Sequence, residues 1–179
     1  MTYPWTSGDV LTAADLNDAI KIVQVVSATK TDTFSASITG GSDTAITGLS
    51  VTITPTSASS TILIFGMVSG SGYTASFNGV NVTTYRNGST EIGIPSSFGS
   101  RTEATAVSHA GDTTSKMANV GILVTDSPAT TSAITYAFHL TTSNAGSAQT
   151  YYVNRSIGDT DNVDHNRTIS TITVMELSA

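Results

Sequence analysis

The sequence predicts an all-β protein: an antiparallel β-sandwich, jelly-roll-like, of about 8–10 strands preceded by one short N-terminal helix. Three observations carry this. From residue 21 onward, apolar and polar residues alternate with a period of two in short runs. Turn-forming Gly, Ser, Asn and Asp separate those runs. The runs are rich in Thr, Val and Ile, whose branched side chains are stiff at χ1 and fit a pleated surface.

Residues 1–20 read as a separate arm, with residues 21–179 as the body. In Leu11-Thr12-Ala13-Ala14-Asp15-Leu16, Thr12 suits a helix N-cap, and Asp15 can bond back to the Thr12 N–H. Leu11 and Leu16 have the spacing of a hydrophobic staple. The helix is expected to end near Lys21. At two or three turns it needs another surface to rest on. Tyr3, Pro4 and Trp5 add an aromatic anchor, which can pack either on the chain's own sandwich or on another chain.

In the body, Ile134, Tyr136, Phe138 and Leu140 are expected on one face of a strand, with Thr135, Ala137 and His139 on the other. Leu49, Val51 and Ile53 alternate in the same way, and Pro55, Ser57 and Ser59 form the turn that follows. Asn87-Gly88 tolerates the positive φ angles of a type I′ turn and predicts a hairpin joining 82–85 to 92–94. Further strands are expected over 22–29, 33–38, 102–108, 117–124, 149–154 and 168–177. Two stretches break the alternation: Thr61–Val68 and Val120–Val124 are apolar on both faces. A sandwich strand normally buries one face. The second face needs a cover from the arm, a loop or a neighbouring subunit, and the scarcity of charge favours a subunit. Leu63, Phe65 and Met67 are therefore the expected interface residues.

Composition narrows the functional classes. The chain has 179 residues, enough for one domain with a short appendage. Hydrophobic residues make up 39%, too many for a disordered polar chain. Charged residues make up 11%, against about 25% in an ordinary soluble domain. Seven Lys and Arg against thirteen Asp and Glu give a net charge of −6, which disfavours a nucleic-acid partner. Without cysteine there is no thiolate metal site, disulfide or Cys nucleophile. No apolar run is long enough to insert in a membrane as a helix, and the N-terminus lacks a signal-peptide pattern.

The sequence yields no catalytic residues and no cofactor or metal site. His109, His139 and His165 lie in separate segments without ligand spacing. Asp159 to His165 begins like a calcium loop, but Val163 and Asp164 occupy the fifth and sixth positions, where an oxygen ligand and Gly belong. A solvated loop explains it better. Tyr73, Phe77, Tyr85, Tyr151 and Tyr152 lie near loops, where aromatic rings can stack on sugars; Tyr73, Tyr151 and Tyr152 are the candidates for a host-surface glycan. Packing at an edge or interface is the plainer role for such rings.

The opening Trp5-Thr6-Ser7-Gly8-Asp9-Val10-Leu11-Thr12-Ala13-Ala14-Asp15-Leu16-Asn17 resembles a segment recurrent in tail-fibre and other structural proteins of tailed bacteriophages. The body is similar to fibre and decoration proteins of phages of marine bacteria and cyanobacteria. The matching stretches are Thr47–Ser60, Tyr85-Arg86-Asn87-Gly88, Thr125-Asp126-Ser127-Pro128, Tyr151–Arg155 and Ser170–Leu177. This resemblance implies a virion surface protein made in the host cytoplasm and commonly trimeric. It implies contact with other phage structural proteins of the capsid or tail through the N-terminal arm, with Tyr3, Trp5, Leu11 and Leu16 as attachment residues. It carries no catalytic residues. The chain lacks a coiled-coil or repetitive shaft, which favours a compact head decoration protein or short fibre over a long tail fibre. The alternative is a receptor-binding tail-fibre module that recognises host glycan.

Overall fold

A computed structural model describes residues 8, 10, 22–74, 79–97, 99–111, 113–142 and 147–178. The expected helix, and with it Tyr3, Trp5, Leu11 and Leu16, lies outside the described residues, as does Phe77. The described residues form an all-β, sandwich-like fold of antiparallel strands. These are β1 (Ile22–Lys30), β2 (Phe34–Ile38), β3 (Asp43–Ile53), β4 (Thr61–Ser71), β5 (Gly79–Arg86), β6 (Thr90–Ile92), β7 (Ala106–His109), β8 (Ala118–Asp126), β9 (Ile134–Thr141), β10 (Gln149–Val153) and β11 (Ser170–Leu177).

Eleven segments exceed the eight to ten expected because three strands are interrupted. Along β4, Ser71 and Gly70 face Tyr152 and Val153 of β10, and Met67 to Thr61 face Thr171 to Leu177 of β11. β10 and β11 are thus two halves of one run, and residues 154–169 leave it and return. β1 and β2, broken at 31–33, pair with the same two halves. Along β5, β6 and β7 likewise occupy one side in succession, with residues 93–105 as the excursion. Merging these pairs leaves eight runs in chain order. One sheet has the order first, eighth, third, sixth; the other has second, seventh, fourth, fifth.

Burial follows the alternation. Ile134, Tyr136, Phe138 and Leu140 all point inward and are buried, as expected. They meet Ile62, Ile64, Val68, Val120, Ile122, Ile172 and Val174 from the opposite sheet in one core. Phe138 crosses so close to β4 that a Cβ on Gly66 would sit 2.9 Å from its ring and 2.2 Å from the Thr171 carbonyl oxygen. Only glycine fits there. The Asn87-Gly88 turn forms with φ of 52° and 69°, the left-handed pair expected for this hairpin. Asn87 also accepts the Thr135 N–H at 2.9 Å, tying the turn to β9.

Two buried polar side chains fix the ends of the runs. Asn154, at φ 61°, donates to the Lys30 and Asp32 carbonyls at 2.9 Å each and accepts the Ser170 hydroxyl at 2.6 Å. It closes the base of the 154–169 excursion against the break between β1 and β2. Glu176 is buried on the inward face of β11. Its carboxylate accepts four hydrogen bonds, from Gln24 Nε2 at 2.6 Å and from Thr56 N, Thr56 Oγ1 and Ser60 Oγ at 2.7 Å each. Burial pushes its pKa up, but the four donors outweigh burial and hold it at about 2.

Candidate functional site

The two apolar stretches divide their side chains between the sheet faces. Ile62, Ile64 and Val68 of β4 and Val120 and Ile122 of β8 enter the core. Their neighbours Leu63, Phe65, Met67 and Leu123 therefore stand on the outer face. Strand register arranges that face in three rows: Val25, Met175, Leu63, Thr125; Ser27, Thr173, Phe65, Leu123; and Thr29, Thr171, Met67, Gly121. None of the twelve residues is charged. Leu123 is 72% exposed and Val25 51%, while Leu63, Phe65 and Met175 are half-buried by one another and their polar neighbours. The structure brings Leu63, Phe65 and Met67 together and adds Val25, Met175 and Leu123. Those additions come from other strands; only the strand register shows that they share the patch.

A second feature is a groove of 510 Å³ at the start of β5. Tyr73, Asn81, Arg101, Val107, His109 and Tyr151 are among its lining residues. Tyr73 and Tyr151 meet edge to face, with ring centres 5.8 Å apart and planes at 75°. Tyr151 is buried, and its hydroxyl lies 2.8 Å from that of Thr142. Of the three aromatic candidates, Tyr73 and Tyr151 are thus neighbours at one groove. Tyr152 is not: alternation turns it to the opposite face of β10, where the Arg155 guanidinium lies 4.5 Å from its ring centre.

Beyond the 100–102 segment lies a recess of 390 Å³ lined by Asp43, Tyr85, Glu91, Arg101 and Glu103, among others. Asp43 hydrogen-bonds His139 Nδ1, and His139 stacks on Tyr85 with centres 4.2 Å apart. The Tyr85 hydroxyl offers its one proton to Glu91 at 2.8 Å, with Asp43 at 3.2 Å as a second acceptor. Burial, followed by these two carboxylates, raises the Tyr85 pKa, so the phenol stays protonated as a donor. His139 does project from the polar face of its strand but is buried there. Its partner Asp43 is 96 residues away in sequence, and no local motif announces the pair.

In the acidic loop, Asp159 is compensated by two arginines. Arg167 holds Asp159 at 2.8 and 2.9 Å, and Arg155 approaches it at 3.4 Å. His165 Nδ1 bonds the Ser156 hydroxyl at 2.8 Å. Among the described residues, no group of three or more His, Asp or Glu side chains is placed to hold a metal ion. Comparison with protein-family models and with curated proteins finds no match to this chain.

Proposed function

We propose that this chain is a structural protein of a tailed-bacteriophage virion. It would be a surface appendage, a head decoration protein or short fibre, that assembles as a homotrimer through the outer face of the β1–β11–β4–β8 sheet. Its role is assembly rather than catalysis, with residues 1–20 as the arm that docks on the particle. The observation that carries this reading is the uncharged patch of Val25, Leu63, Phe65, Met67, Leu123 and Met175. Contiguous apolar surface of this kind marks an association site, since burying each such side chain is worth about 1.5–3 kcal/mol. Further copies suit the patch better than a charged partner, because around a threefold axis three such faces would meet one another, each equally uncharged. The resemblance of the N-terminal segment and body to phage fibre and decoration proteins supports the virion setting.

We also read the two sheets as a jelly roll, in which the chain passes between layers as two Greek keys. The strand order given above supports this.

Light scattering tests the assembly. The full chain should run at about three times its 18.4 kDa mass, and Phe65→Glu should release monomers. A monomeric wild-type chain refutes self-association. If residues 1–20 cover the patch instead, deleting them would turn a monomer into an associating species. Particles assembled with the truncated chain should lack it; normal incorporation removes the docking role.

A second reading, receptor recognition through a host glycan, is favoured by the meeting of Tyr73 and Tyr151 at the groove beside Asn81. Binding of the purified chain to host-cell envelope tests it.

A further inference from the structure

We infer that the Tyr73–Tyr151 groove is a saccharide site and that the Asn81 amide is its specificity-determining group, a step that rests on the receptor-recognition reading. Asn81 lies within β5, between the core residues Val80 and Val82, and points the opposite way from both. It is 8% exposed and lines the groove. Its amide makes no hydrogen bond to another described residue and opens onto the groove, and asparagine is disfavoured inside strands. A hydrogen-bonding amide set by a strand into the wall of a groove calls for an explanation. A ligand that fills the groove supplies one.

The amide fixes the ligand chemistry. Its nitrogen offers two donors and its oxygen an acceptor, side by side in one plane. A vicinal pair of sugar hydroxyls is complementary, one accepting from Nδ2 and the other donating to Oδ1. A sugar ring also carries an apolar C–H face, which matches the half-buried Tyr73 ring and the exposed Val107 side chain on the same groove. Arg101 and His109 bring further nitrogen groups to the walls, and no carboxylate lines it among the described residues. The volume, 510 Å³, falls within the range of small-molecule sites, roughly 300–1,000 Å³. A short neutral oligosaccharide combines the required size, hydroxyl edge and apolar face.

The test uses the full chain and an array of glucose-, galactose- and mannose-terminated neutral oligosaccharides, with binding to host envelope measured in parallel. Wild type should bind at least one sugar class. Asn81→Asp, which keeps the size but loses the paired donors, should weaken that binding at least tenfold with an unchanged melting temperature. Val163→Ser, in the exposed 157–167 loop, should bind as wild type. Should Asn81→Asp not fold, Tyr73→Ala must show the same loss. Sugar binding that survives both substitutions overturns the groove assignment and leaves receptor recognition standing. Binding to envelope but to no arrayed sugar overturns the neutral-saccharide inference alone. Binding to neither removes both.

Discussion

Glu176→Gln separates the contribution of one buried carboxylate from that of the surrounding fold. Glu176 is fully buried, and its four donors come from β1 and the 54–60 turn, so it joins three parts of the sandwich edge. Its pKa lies at about 2, against an ordinary value of 4.5. At 1.36 kcal/mol per pH unit, that gap corresponds to about 3 kcal/mol. A depressed folded-state pKa contributes stability that is complete above the unfolded value. It is lost as pH falls from 4.5 towards 2. Wild type should therefore lose about 3 kcal/mol across that window through this group. Glu176→Gln should already lack about that amount at pH 7, because the amide turns an N–H toward groups that donate. At this chain length the loss lowers the melting temperature by roughly 6–12 °C. Urea unfolding of both proteins at pH 7, 4.5, 3 and 2 is the assay, with pH 2 to 7 chosen to span the window. Equal acid slopes for wild type and variant would refute the assignment of that stability to Glu176.

Three further outcomes follow from the packing. Gly66→Ala should cost at least about 3 kcal/mol or prevent folding, since its methyl would fall 2.2 Å from the Thr171 carbonyl oxygen; a melting curve like that of wild type would show that β4 and β11 are further apart. Asn154→Ala should cost about 2–4 kcal/mol, because the Ser170 hydroxyl and the Lys30 and Asp32 carbonyls lose a buried partner. Hydrogen exchange should then rise first around 152–155 and 168–171. Tyr136→Phe removes a 2.7 Å bond to Asp126 but leaves the Arg86–Asp126 pair, at 2.8 and 3.0 Å, in place; the expected loss of about 1 kcal/mol is measurable by urea unfolding at pH 7.

The inward faces of the strands are legible in the sequence because alternation and burial share a period of two. Ile134 to Leu140 shows this, and so does the two-faced stretch from Thr61, whose odd and even positions go to different faces. The Asn87-Gly88 hairpin is legible because few other residue pairs adopt its backbone angles. The start of β3 is not. Gly48, at φ 89°, and a register shift between Ala45 and Ser50 break the alternation there, so only Leu49 to Ile53 reads as strand. Nor does any local pattern reveal that Val153 and Ser170 belong to one run, since that alignment is set by β4 and the β1–β2 pair. The groove has the same origin. Tyr73, Asn81, Arg101 and Tyr151 come from segments whose spacing carries no chemical pattern. The outer patch lies between these cases: the part on β4 is visible in the chain, while Val25 and Met175 join it only through pairing.

The broken run at 154–169 gives this fold a site for variation that leaves the core alone. Its ends are held by Asn154, by the Arg155–Arg167 bridge and by the Thr168 N–H on the Asn154 carbonyl. The length between those ends has little thermodynamic weight, since doubling a flexible loop costs only about 0.6 kcal/mol. Foreign peptides spliced near Val163 should thus be displayed at a defined spot with little effect on melting, and natural lineages can diversify there at low risk to the scaffold.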